Sequence, residues 1–132
     1  MKNKMFLQMR PDLKEVDRIS SDIYDELVPI VGREKAFIVE LVVIEACTNI
    51  VKHGCIKEDS QIDIELSINQ KNIEFTITDE GTPFNPLLKK LPDLSNLEEL
   101  KNGGIGIYLI RNLSKKVSYK YSEGKNRLKI LL

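Results

Sequence analysis

The sequence predicts an α+β fold, a two-layer sandwich in which a mixed, mainly antiparallel sheet carries its helices on one face. Three observations predict it. Apolar residues recur at helical spacing through residues 13–53, strict alternation replaces that spacing from Ile62, and a glycine cluster opens one further helix before a last pair of strands. Hairpins separated by helices close an antiparallel sheet with one covered face.

Residues 5–9 form a short first strand. Pro11-Asp12-Leu13-Lys14-Glu15 then opens a helix, with Asp12 as N-cap and Glu15 three residues on. Val16, Ile19, Ile23 and Leu27 follow at helical spacing, and Pro29 and Gly32 end the helix. A second, more apolar helix covers residues 33–53. Its core stripe is Val39, Val43, Ala46 and Ile50, and Gly54 takes the C′ place. Ile62, Ile64, Leu66 and Ile68 alternate with polar residues, so they line the buried face of a strand. A turn over residues 69–72 leads into Ile73, Phe75 and Ile77, and that strand stops at Asp79-Glu80-Gly81-Thr82-Pro83. Residues 82–102 hold three prolines and many polar side chains, too long for a plain connection, which predicts a lid over a site. A helix from Ile107 to Leu113 and strands near 116–122 and 126–132 complete one domain spanning residues 1–132.

Composition sets the outer bounds. Twenty Lys and Arg balance twenty Asp and Glu, which argues against bulk electrostatic binding of nucleic acid. Neither Cys47 nor Cys55 has a CxxC partner, and Cys47 sits in an apolar run as a small core residue. No apolar stretch is long enough to span a bilayer, and the start is too weakly apolar for a secretory signal, so the expected location is the cytoplasm.

Three features depart from plain packing. Glu45 and Asn49 interrupt the apolar second helix four residues apart, stacked on one edge with Lys52 near it. Taken alone they read as a solvent-facing edge with a Glu45–Lys52 or Glu45–Asn49 contact. Asp79 ends a buried strand ahead of the flexible Gly81, and taken alone it reads as a turn residue. Gly103-Gly104-Ile105-Gly106 leads straight into a helix, where bare backbone N–H groups and the helix dipole favour an anion. It matches neither the P-loop nor the dinucleotide fingerprint.

Together, and in this order, the features carry a resemblance. Glu45-Ala46-Cys47-Thr48-Asn49-Ile50-Val51-Lys52-His53-Gly54, Asp79-Glu80-Gly81-Thr82-Pro83-Phe84 and Gly103-Gly104-Ile105-Gly106-Ile107-Tyr108-Leu109-Ile110 look like the three nucleotide boxes of the GHKL ATPases. Within these the chain most resembles the bacterial anti-sigma factor serine/threonine kinases, over nearly its whole length. The resemblance implies a Bergerat-type ATP-binding fold, ATP and Mg²⁺ as cofactors, and transfer of phosphate to a serine of an anti-anti-sigma partner. It also implies a sigma factor as the second partner, regulation of transcription by partner switching, and a homodimer formed at the edge of the first strand and helix.

Residue by residue, the resemblance makes Asn49 the Mg²⁺ ligand, Asp79 the acceptor for the adenine amino group, and Gly81 the residue that leaves the base edge uncrowded. Gly104 and Gly106, with Gly103 before them, give backbone N–H groups to the phosphates, and Glu45 is the general base. Lys101 is the candidate to steady the terminal phosphate, and His53 reads as a structural residue at the helix end. Two positions depart from the family pattern. Pro83 replaces the last glycine of the second box, and Asn126 stands where a Thr usually helps to bind the adenine edge. Two other readings stay open: a nucleotide-binding regulatory module without catalysis, and the catalytic domain of a histidine-kinase-like protein acting in trans.

Overall fold

The computed structural model describes residues 3–54, 57, 59–69, 71–85, 87 and 105–132. The strands are β1 (Asn3–Met9), β2 (Ile62–Ile68), β3 (Ile73–Asp79), β4 (Lys116–Ser122) and β5 (Lys125–Leu131). The helices are α1 (Leu13–Val31), α2 (Arg33–His53) and α3 (Ile105–Leu113). They form a five-stranded sheet of order β1-β2-β3-β5-β4 under a layer of helices.

All four strand pairs among the described residues are antiparallel, so the sheet they form is not mixed. The reason is connectivity: β2–β3 and β4–β5 are hairpins, and the path through α3 and β4 brings β5 back beside β3 with its direction reversed. The β4–β5 hairpin turns on two residues. Glu123 has φ +54° and Gly124 φ +76°, the paired positive values of the tight turn that matches strand twist.

Strand parity decides which residues meet the helices. Ile62, Ile64, Leu66 and Ile68 of β2, Ile73, Phe75 and Ile77 of β3, and Leu128 and Ile130 of β5 are buried against Ile19, Ile23 and Leu27 of α1. The α2 stripe is buried as the sequence predicts, and Ala36, Val42 and Cys47 widen it. Burial of each large aliphatic side chain is worth about 1.5–3 kcal/mol. That far exceeds the small helix penalty of the β-branched residues in α2.

Pro29 does not end α1, which runs on to Val31. A proline there removes only one hydrogen bond, to the carbonyl four residues back, and it sits in the last turn where few bonds remain to be lost. The helix stops instead at Gly32, whose φ of +88° and N–H···O bond to Val28 at 2.9 Å make the sharp joint to α2. Asp12 caps α1 as expected, accepting from the Lys14 N–H at 2.8 Å, while Glu15 turns to Arg18 at 2.6 Å.

α2 packs between α1 and α3 and ends with Gly54 beside the tip of β3. Helix end, strand tip and α3 thereby come together at one end of the molecule.

Candidate functional site

Parity along β3 brings the first polar group to this place. Ile73, Phe75 and Ile77 face the helices, so Asp79 takes the next inward position and is only 4% exposed. A buried carboxylate needs donors. Its Oδ1 accepts from the Gly81 N–H at 2.9 Å and from Asn126 Nδ2 at 2.9 Å. Burial pushes the Asp79 pKa up, and these two hydrogen bonds pull it back. Among the described residues Oδ2 accepts nothing.

Asn126 is the cross-strand partner of Asp79 in the β3–β5 register and is equally buried. Its Nδ2 also donates to Thr82 O at 2.9 Å and Gly81 O at 3.2 Å. Its Oδ1 accepts from the Phe84 N–H at 3.0 Å and from the Tyr119 hydroxyl. One amide therefore ties β5 to four places, Asp79, Gly81, Thr82 and Phe84, at the end of β3 and on the chain leaving it. Beyond it the ring of Phe84 lies 6.1 Å from that of His53 at the end of α2, which agrees with a structural role for the histidine.

The polar edge of α2 faces the same end. Neither the Glu45–Lys52 nor the Glu45–Asn49 contact is formed among the described residues. Glu45 lies instead against Gly106 of α3. A Cβ on Gly106 would overlap Glu45 Oε2 and stand 3.1 Å from its Cδ and 3.4 Å from its Cβ, so the bare backbone is what lets α3 approach the carboxylate. Asn49 is half-buried, and its Nδ2 has no hydrogen-bond partner among the described residues. No cluster of three His, Cys, Asp or Glu that could hold a metal occurs among the described residues. A divalent cation would rest on Asn49 and on ligand oxygens, a sparse protein contribution that suits Mg²⁺ and its preference for phosphate oxygens and water.

Ala46, Asn49, Ile50, Asp79, Ile110 and Asn126 surround one cavity of about 20 Å³, with Phe84 along its side. That is room for roughly one water. A larger groove of about 860 Å³ crosses the opposite, open face of the sheet. It is lined by side chains already paired with one another, such as Gln8 with Asp63 and Lys129 with Glu74, and holds none of the motif residues. The small cavity is the better candidate because it joins three separate motifs.

Glu45, Asn49, Asp79, Gly81 and Gly106 are thus brought to one end of the molecule. Lys101, Gly103 and Gly104 lie outside the described residues, as does most of the lid, residues 88–102. The bracing by Asn126 and Tyr119 was not foreseen. The available signal was parity: Asn126 falls on the inward phase of Leu128 and Ile130, where a polar side chain is out of place. Arg111 donates to the Leu87 carbonyl and so fastens the chain just beyond the second box to α3.

A family model for the histidine kinase-like ATPase domain matches residues 13–132. The serine-protein kinase RsbW of Bacillus thuringiensis (strain Al Hakam) is 32% identical over 90 residues, 64% of this chain and 56% of that protein. The serine-protein kinase RsbW of Halalkalibacterium halodurans is 30% identical over 91 residues, 65% and 56% of the two chains. The match thus spans little more than half the length of these relatives. A crystal structure of the RsbU and RsbW domains of a Mycobacterium tuberculosis protein superposes with a TM-score of 0.65 at 10% identity, over 98% of this chain and 32% of that one, and so shares the fold.

Proposed function

Because the chain belongs to the histidine kinase-like ATPase domain family, we propose that it binds ATP and phosphorylates a serine on an anti-anti-sigma protein, releasing or holding a sigma factor by partner switching. The observation that carries this reading is the meeting of Asn49, Asp79 and Ile110 around one cavity, with Glu45 and Gly106 in contact beside it. The relatives named as serine-protein kinases support the choice of reaction.

In this reading Asp79 Oδ2 accepts the adenine amino hydrogen, and Gly81 leaves space along the base edge. The cavity of about 20 Å³ is too small for a base, so the side chain of Phe84 swings aside as the nucleotide enters, its backbone N–H staying on Asn126. Backbone N–H groups of Gly106, in the first turn of α3, and of Gly103 and Gly104 ahead of that helix would serve the phosphates. Lys101 steadies the terminal one. Asn49 would hold Mg²⁺, which when bound would neutralise charge on the phosphate oxygens. Glu45 orients the serine hydroxyl and takes its proton as the serine oxygen bonds to the γ-phosphorus and the bond to the bridging oxygen breaks, leaving ADP. The Gly106 backbone fixes where Glu45 can stand.

Assembly with a second copy belongs to the same proposal. β1 is an edge strand with Phe6 73% exposed, and α1 flanks it. No helix among the described residues is long and apolar enough to cross a membrane, which is compatible with a cytoplasmic site of action.

Incubation with labelled ATP and a candidate antagonist tests the reading. Label is expected on a serine of the antagonist with the native chain and not with Glu45→Ala, while both bind ATP. Nucleotide binding without transfer from the native chain to any antagonist would favour a regulatory module instead.

A further inference from the structure

The amide of Asn126 stands where a base-contacting hydroxyl was expected, yet its bonding capacity is already spent inside the protein. An amide offers two N–H donors and one carbonyl acceptor with two lone pairs. Here the donors serve Asp79 Oδ1 and Thr82 O at 2.9 Å each, with Gly81 O at 3.2 Å sharing one of them. The acceptor serves the Phe84 N–H and the Tyr119 hydroxyl. Nothing is left for a nucleotide. Register explains the placement: Asn126 and Asp79 are directly opposed on the inward face of β5 and β3, where side chains of one antiparallel pair are in reach of each other.

We propose that Asn126 is a positioning residue for base selection: it holds Oδ1 of Asp79 so that Oδ2 alone points into the cavity as the acceptor for a 6-amino purine, and it does not touch the base. The argument has two physical steps. A carboxylate on a strand end rotates about its own side-chain bonds, so an acceptor aimed at one donor has to be locked by hydrogen bonds to its other oxygen. The lock here comes from two sides, the Gly81 N–H and the Asn126 amide, both on the same oxygen. Bonding that carboxylate from both sides leaves a single free oxygen and thereby makes the site selective for a donor. The same amide also bonds the carbonyls of Gly81 and Thr82 and the Phe84 N–H. This inference rests on the reading of Asp79 as the adenine acceptor.

The test is calorimetric affinity for ATP and for purine riboside triphosphate, which lacks only the 6-amino group, both with Mg²⁺. The native chain is expected to prefer ATP about tenfold or more, the size of one hydrogen bond to a charged group. In Asn126→Leu the preference falls to within threefold of unity, while affinity for purine riboside triphosphate stays within threefold of native. Asn126→Thr, which keeps one donor and folds with less disturbance, gives an intermediate preference. Retention of the native preference in Asn126→Leu, where Asp79→Asn loses it, would overturn the positioning role and leave the adenine reading intact. Parallel loss of both affinities in both variants would make Asn126 a structural brace and also overturn it. Absence of any preference in the native chain would instead remove the Asp79 reading on which the inference stands.

Discussion

The two ends of the candidate site are built on opposite plans. At the base end, Asp79, Gly81, Thr82, Phe84, Tyr119 and Asn126 satisfy one another through hydrogen bonds before any ligand arrives. At the proposed phosphate end, Glu45 has no ion pair and Asn49 no hydrogen-bond partner for Nδ2 among the described residues, and Glu45 packs against the bare backbone of Gly106. On the proposed reading, the difference follows from what each end would recognise. A neutral base edge is read by direction, which demands a fixed acceptor; a charged phosphate with its cation is read by field and coordination, which demands groups left free to engage. On that reading the braced end would set specificity and the open end would carry the chemistry.

That contrast breaks or sharpens by substitution at each end. The largest effect is expected for Glu45→Gln: transfer to a serine falls by roughly 10²–10⁴, the usual contribution of a general base, with ATP affinity nearly unchanged by calorimetry. A fall in affinity of the same size would mean that the carboxylate binds rather than reacts.

Asp79→Asn comes next, at the braced end. ATP affinity is expected to drop roughly tenfold to hundredfold, the span of a hydrogen bond to an ionised group. Ligand-free stability should move the other way. Burial raises the Asp79 pKa in the folded state, so the folded protein holds this proton more tightly than the unfolded chain. The resulting penalty is absent below the unfolded value of about 3.9 and develops as pH rises through the folded value. The neutral amide avoids it, and its oxygen still accepts from Gly81 and Asn126. The melting temperature of the ligand-free variant at neutral pH should rise by a few degrees, and a fall would show that Oδ2 has a structural partner.

Gly106→Ala probes the seam between α2 and α3. The added methyl displaces the Glu45 carboxylate, the flexible end of a side chain, so transfer should fall about tenfold while stability shifts by less than about 1 kcal/mol. An unchanged transfer rate would free Glu45 from any dependence on this contact. Cys47 is expected to matter least. Its thiol is fully buried and pushed up to about 12, so alkylation at pH 7.5 should leave Cys47 unmodified in the folded chain. Rapid labelling there would mean that α2 opens.

Much of this was legible in the residues. The α2 stripe, the alternation of β2 and β3, and the inward parity that carries Asp79 to the core edge are local patterns that packing obeys. The three boxes gave Glu45, Asn49, Asp79, Gly81 and Gly106 as one set, and they share one end of the molecule. What escaped depends on partners distant in sequence. Asn126 meets Asp79 across 47 positions only because β5 inserts beside β3, and the order β3-β5-β4 cannot be read from either strand. The Glu45–Gly106 contact is set by how closely two helices approach. Pro29 misled for the opposite reason: its local rule holds, but near a helix end the lost bond is cheap.

The central claim is that a helix edge, a strand tip and a glycine-led helix hold one and the same nucleotide. Backbone amide signals of Gly81 and Asn126 at one end and of Asn49 and Gly106 at the other can be followed while ADP with Mg²⁺ is titrated into the labelled chain. The expected result is that both groups shift together along a single binding curve with one dissociation constant. Shifts confined to one end, or two curves with separate constants, would contradict it.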